Sequence, residues 1–301
     1  LPALPAVLLL VALVLAWIIT RQWPRPALGY ALAGTIVAAS LAIEVSDLVT
    51  HYGTRMILDH VNFSAKQGEI MVVMGGSGSG KSTLLRHLLG LHQPTSGAIK
   101  LLGKDITQMS ADEMFDLRKN MGVAFQGGAL FNSMTVGENV ELPLREHTKL
   151  DDNTIRIMSR MKLEVVNLAG FEDLMPSELS GGMIKRVALA RAIVMDPKLL
   201  FFDEPSAGLD PVASAELDEL ILTLRDAMNM TIVVVTHELE SAFKIADSIT
   251  VLDHGRILMS DRTATVRASE HPRIRALLDR TPRDDSVDAD EYMERLTREI
   301  N

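Results

Sequence analysis

The chain contains no cysteine. That excludes a disulfide framework, a thiolate-ligated zinc or iron–sulfur centre and thiol catalysis, and it agrees with a reducing compartment. An excess of positive charge is also missing: 30 Lys and Arg stand against 39 Asp and Glu, a formal net charge of −9. A broad electropositive surface that would track a nucleic-acid backbone is therefore not expected, and no nucleic acid is assigned as a partner. With 47% hydrophobic and 23% charged residues in 301 positions, the chain has a core for one large domain or two modest ones.

Acidic residues are absent from positions 1–40, where Arg21 and Arg25 are the only charges; positions 41–301 carry 28 basic and 39 acidic groups. Leu4 to Thr20 is a run of 17 residues without charge, at the short end of what crosses a hydrocarbon core of about 30 Å. Both tryptophans, Trp17 and Trp23, flank its end together with the two arginines, as in an aromatic and basic anchor whose flank faces the cytoplasm. A second apolar run, Ala27 to Ile43, is weakened by Gly29, Gly34, Thr35 and Ser40. A two-span hairpin would also put both arginines outside, against the positive-inside bias. A basic region before the first run is lacking, which argues against a secretory signal. Two readings of residues 1–40 stay open: a single N-terminal transmembrane helix, or an upstream segment from a misplaced start.

From Ile43 onward, short β-type runs alternate with helical patterns, which predicts an α/β fold with a largely parallel sheet. Glu69 to Met74 reads as a strand, Thr83 to Leu89 as a helix, and between them lies Gly75-Gly-Ser-Gly-Ser-Gly-Lys81-Ser82. Strand, glycine loop and helix in that order form a P-loop. Gly75, Gly76, Ser77, Gly78, Ser79 and Gly80 offer backbone N–H groups to phosphate; Lys81 reaches the β/γ-phosphates, Ser82 serves Mg²⁺, and Thr83 opens the helix. Lys198 to Asp203-Glu204 is a second apolar strand that ends in two acids. Asp203 is placed to hold the Mg²⁺ shell and Glu204 to polarise an attacking water. An Asp-Glu pair alone reads more readily as a cap or solvated turn, and the P-loop upstream reverses that preference.

Leu179-Ser180-Gly181-Gly182-Met183 precedes an apolar-periodic helix and lies 99 residues beyond Lys81. This resembles the signature motif of ABC ATPases, with Met183 where most cassettes have Gln. The fold this implies is a P-loop NTPase of ABC ATPase type, with an antiparallel β subdomain and an inserted α-helical subdomain. Tyr52 resembles the aromatic that stacks on adenine, Gln126 the Q-loop glutamine that senses Mg²⁺, Ser206 to Asp210 the D-loop, and His237 the switch histidine at the γ-phosphate. The resemblance implies ATP and Mg²⁺ as cofactors, with Ser82, Gln126 and Asp203 on the metal. It also implies a homodimer of cassettes in which Ser180, Gly181 and Gly182 of one chain close on the nucleotide of the other.

The resemblance covers residues 44–275. Within it, Phe125 to Phe131, Pro143 to Thr148, Pro176 to Met183 and Pro272 to Leu278 are similar to ATPases of Mla-type phospholipid-trafficking systems of Gram-negative envelopes. Such a resemblance implies an MlaE-like permease, an MlaD-like MCE protein and an MlaB-like STAS protein as partners. The cassette is then expected at the cytoplasmic face of the inner membrane, peripheral through the permease or held by an N-terminal anchor. The alternative is an ABC ATPase for another substrate, such as a drug, an amino acid or a metal chelate. Tandem-cassette translation factors would need a second P-loop, chromosome-organising ATPases a long coiled-coil insertion, and a kinase or GTPase would leave Ser180 to Gly182 unexplained.

The expected organisation is residues 1–40, an ABC ATPase domain at 41–275 with its helical subdomain at about 127–190, and a C-terminal extension at 276–301. In the extension Asp288 to Glu291 has the form of a helix cap, and Met293, Leu296 and Ile300 form one apolar stripe; the Mla-type resemblance implies an extension that reaches the neighbouring cassette near the STAS subunit, where this stripe is expected to dock. No nucleotide motif precedes Tyr52. Removal of residues 1–40 should therefore leave the ATP hydrolysis rate unchanged, measured as phosphate release by the two purified forms.

Overall fold

The computed structural model describes residues 41–281; the readings made on residues 1–40 and on the 288–300 stripe lie outside them. Strands β1 (Leu41–Tyr52) and β2 (Arg55–Lys66) pair antiparallel, with Tyr52 opposite Arg55. The turn between them needs Gly53, whose φ of 61° carries no side-chain penalty. β4 (Ser96–Leu101) and β5 (Lys104–Asp105) complete an antiparallel sheet of order β2-β1-β4-β5.

The second sheet holds β3 (Ile70–Met74), β6 (Met121–Ala124), β7 (Leu199–Asp203), β8 (Thr231–Thr236), β9 (Ser248–Asp253) and β10 (Arg256–Arg262), in the order β10-β9-β3-β8-β7-β6. Every pairing is parallel except β10 on β9. A parallel sheet covered on both faces needs continuous apolar strands, and all five residues of β3 are fully buried. Successive side chains alternate between faces. Ile70, Val72 and Met74 join one core, and Met71 and Val73 the other.

One core lies against the antiparallel sheet, α1 (Lys81–Leu88) and α2 (Ala111–Arg118). The other lies against α3 (Val136–His147), α4 (Asp152–Val165), α5 (Gly181–Ile193), α6 (Pro211–Met228), α7 (Leu239–Ile245), α8 (Thr263–Arg267) and α9 (Pro272–Leu278). Helix starts follow the capping residues: Ser110 and Thr135 form capping boxes with Glu113 and Glu138, and Asp151, Ser180 and Asp210 cap α4, α5 and α6. Fully buried Asn139 donates to the carbonyls of Phe131, Met134 and Thr135 and so fixes the approach to α3. The architecture is the α/β cassette expected, two sheets with a helical layer. Among the described residues no helix is long and apolar enough to cross a membrane.

α1 begins at Lys81, two residues before the predicted start, because Gly80 caps it with φ 106°. α5 approaches the sheet so closely that a Cβ on Gly122 would lie 2.3 Å from the Ala192 carbonyl oxygen. Gly122→Ala must push β6 away from α5, an overpacking that costs about 1–3 kcal/mol. A matching fall in unfolding free energy by urea titration is the expected result.

Candidate functional site

The loop from Gly75 to Gly80 turns because its glycines permit it. A Cβ on Gly75 would sit 2.1 Å from the Leu252 carbonyl oxygen, and Gly78 and Gly80 have φ of 74° and 106°. The loop is held from outside by the Gly255 N–H, which donates to Ser79 O at 2.9 Å. Lys81 folds back on its own loop, donating from Nζ to Gly75 O at 2.8 Å and Gly76 O at 3.1 Å.

Opposite the loop stand the acids at the end of β7. Burial pushes the Asp203 carboxyl above its usual range and the charge of Glu204 adds to this, while Lys81 and Arg86 pull the other way. Glu204 points to the end of β8. Its Oε2 accepts from Thr236 Oγ1 at 3.0 Å and from the His237 N–H at 3.3 Å; its Oε1 lies 2.9 Å from His237 Nδ1. A carboxylate only accepts, so Nδ1 carries the hydrogen of that contact.

These groups share one cleft of about 1000 Å³, lined by Gly75, Gly76, Ser77, Gly78, Lys81, Ser82, Gln126, Asp203, Glu204 and His237. Ser79, Gly80 and Thr83 stand behind the loop rather than in the lining; Ser79 and Thr83 are buried, and Ser79 Oγ has no hydrogen-bond partner among the described residues. Tyr52 lies outside the lining, 42% exposed, its ring 5.9 Å from that of His92. Ser82, Gln126 and Asp203 supply hydroxyl, amide and carboxylate oxygens, a hard donor set suited to Mg²⁺ beside phosphate.

Ser180 and Gly182 line a separate cavity of about 180 Å³ with Lys185 and Leu209. Ser180 Oγ caps α5 by accepting the Met183 N–H at 3.3 Å, and Gly181 is the first helical residue, exposed. Asp210 accepts the N–H groups of Val212 and Ala213 at 3.0 Å each, the ordinary cap of α6. The P-loop and the Ser180 segment thus open into different cavities.

The ABC transporter family matches residues 58–207. The intermembrane phospholipid transport system ATP-binding protein MlaF of Haemophilus influenzae is 43% identical over 232 residues, covering 77% of this chain and 88% of that protein. The chain belongs to the ABC transporter ATP-binding family. A probable ribonucleotide transport ATP-binding protein, mkl of Mycobacterium leprae, is 41% identical over 238 residues, 79% of this chain and 69% of that protein. Among solved structures, the dimeric post-hydrolysis cassette MJ0796 bound to ADP and Pi superposes with a TM-score of 0.68 at 30% identity, covering 73% of this chain and 98% of that one. This cassette is an ATPase.

Several residues at the site had no sequence motif to mark them. Thr236 orients Glu204, Arg86 sits in the field of Asp203, and Arg273 and Arg280 line the far wall of the cleft. Lys185 donates to the carbonyls of Glu204, Pro205 and Ala207, and burial draws its ammonium below the usual lysine range. Arg191 donates to those of Gly128 and Ala129. Arg273 lies within the Pro272 to Leu278 stretch, Lys185 and Arg191 lie in the helix after the signature, and Thr236 stands just before His237, but no motif assigned these side chains a role.

The raised Asp203 pKa has a consequence for stability. The folded cassette keeps this proton to higher pH than the unfolded chain, so the contribution of Asp203 becomes unfavourable as pH rises past the ordinary carboxylate range. In the absence of nucleotide and Mg²⁺, Asp203→Asn should therefore raise the thermal midpoint at pH 7, with the gain vanishing near pH 4. The same variant should lose Mg²⁺-dependent hydrolysis; differential scanning calorimetry at both pH values checks the first and phosphate release the second.

Proposed function

We propose that this cassette is the ATP-hydrolysing subunit of a transporter that moves phospholipid between the membranes of a Gram-negative envelope. It works as a pair of cassettes at the cytoplasmic face of the inner membrane, peripheral to a permease of MlaE type, with an MCE protein and a STAS protein as further partners. The observation that carries this reading is the 43% identity to MlaF across 88% of that protein, over a chain whose P-loop, Asp203, Glu204 and His237 share one cleft. The match to mkl favours a second reading, nucleotide transport, at similar identity but 69% coverage.

In the mechanism, backbone N–H groups of Gly76 to Gly80 and the α1 N-terminus bind phosphate oxygens. Lys81 exchanges its two loop carbonyls for the phosphates. Ser82, Gln126 and Asp203 would hold Mg²⁺, which neutralises phosphate charge. Glu204 takes a proton from water as it attacks, and His237, tied to it through Nδ1, orients it and reaches the γ-phosphate. Ser180, Gly181 and Gly182 complete the site of the partner cassette, while Tyr52 offers its ring to adenine and Asp210 keeps the D-loop at the α6 start.

Glu204→Gln should preserve ATP binding, lower hydrolysis by about 10²–10⁴-fold and trap an ATP-bound dimer visible by light scattering. Proteoliposomes holding the cassette with its co-purified permease should move fluorescent phospholipid on ATP addition. ATP-driven uptake of a ribonucleotide with static lipid would replace the phospholipid reading with the second one.

A further inference from the structure

Helix α5, which begins beside Ser180, is fastened by two cations to the turns that follow Glu204 and Gln126, two residues lining the cleft of its own chain. Lys185 Nζ lies 2.5 Å from Pro205 O, 2.6 Å from Ala207 O and 3.4 Å from Glu204 O. Arg191 lies 2.7 Å from Gly128 O and 2.8 Å from Ala129 O. The first three carbonyls belong to the turn that carries Glu204 toward Asp210, and the last two to the turn that follows Gln126. Among the described residues neither cation pairs with a carboxylate, so what each one holds is the course of the main chain.

The turn gripped by Lys185 is stiff. Ala207 N–H donates to Glu204 O at 3.2 Å, Leu209 N–H donates to Ser206 O at 3.0 Å, and Pro205 and Ser206 are buried. A movement of the Glu204 backbone therefore reaches Lys185 with little slack, and Lys185 lies one turn and a half along the helix from the Ser180 cap. Glu204 faces the cleft of its own chain while Ser180 opens elsewhere. We infer that Lys185 is a positioning residue that ties the Glu204 turn to α5, so that hydrolysis at one nucleotide and the Ser180 contact to the other change together. This rests on the paired-cassette reading above. A lysine that merely satisfied loop carbonyls would support folding and leave cooperativity alone.

The test uses the full chain with Lys185→Met, Lys185→Arg and Lys185→Gln, and Lys162→Met as a control, since Lys162 pairs with Asp196 away from the cleft. Fluorescent ATP binding and ATP-dependent hydrolysis are measured for each. Lys185→Met should bind nucleotide as the unaltered chain does while kcat falls roughly 10- to 100-fold, and the Hill coefficient should drop from about 2 toward about 1. Arg should restore most of both, Gln part of them, and the control should match the unaltered chain. Where the Met variant does not fold, Gln carries the test with the same direction. Unchanged kcat and Hill coefficient in Met or Gln overturn the inference. So does a loss in which binding, kcat and thermal midpoint fall together and Arg restores none of them. Non-cooperative hydrolysis by the unaltered chain, with Glu204→Gln remaining monomeric in ATP, would overturn the paired-cassette reading and this coupling with it.

Discussion

Parallel pairing of four strands in one register decides where the reactive groups of this cassette lie. Met74 stands opposite Thr236, Val235 opposite Asp203, and Phe202 opposite Ala124. The carboxyl ends of β3, β8, β7 and β6 therefore open along one edge, where α/β sheets bind their ligands. The P-loop, His237 and Glu204 follow directly from three of those ends, and Gln126 lies two residues beyond the fourth. A slip of one residue would turn every side chain of a strand to the opposite face. The two cores forbid this: Leu199 and Phe201 fill one and Leu200 and Phe202 the other. Packing deep in the sheet thus fixes the chemistry at its rim.

Legibility of the site in the sequence followed the kind of partner each residue has. The P-loop was readable because its function is carried by backbone at fixed spacing, and Asp203 and Glu204 because a P-loop upstream gives an acid pair at the end of an apolar strand a reason to be there. Ser180 was readable through the signature resemblance, as a serine with two glycines ahead of an apolar-periodic helix. Lys185 and Arg191 were not, since their partners are carbonyl oxygens 19 to 63 positions away, and every residue has a carbonyl. Arg273 and Arg280 reach the cleft wall only because α9 folds back to it. Among the elements, the start of α1 was misplaced by two residues because the left-handed cap at Gly80 is a property of the loop path and not of helix propensity.

A single cassette contains one finished half-site and one unfinished one. The cleft holds the phosphate loop and both acids, whereas Ser180 and Gly182 look into a cavity too small for a nucleotide, about 180 Å³. Their helix N-terminus is capped by Ser180, which accepts the Met183 N–H, and has no acid in its first turn to face the positive end of its dipole. The absence of an acidic residue there is consistent with the proposed contact to the partner cassette's nucleotide, since a carboxylate on the first turn would repel phosphate while stabilising the isolated chain.

Adjacent acids in one strand end would ordinarily share one environment, and here they do not. Glu204 has φ 47°, a left-handed conformation that costs a non-glycine residue roughly 1–2 kcal/mol. The cost is set against the bonds made here: the Glu204 N–H donates to Val235 O at 2.8 Å, and its carboxylate accepts from Thr236 and His237. The backbone twist turns Glu204 toward β8 and leaves Asp203 half-buried in the field of Lys81 and Arg86. One carboxyl is thereby left half-buried in the cleft lining, its pKa raised by burial and by Glu204, and its neighbour is hydrogen-bonded to a histidine. Backbone conformation at a single residue thus gives two adjacent carboxylates different partners.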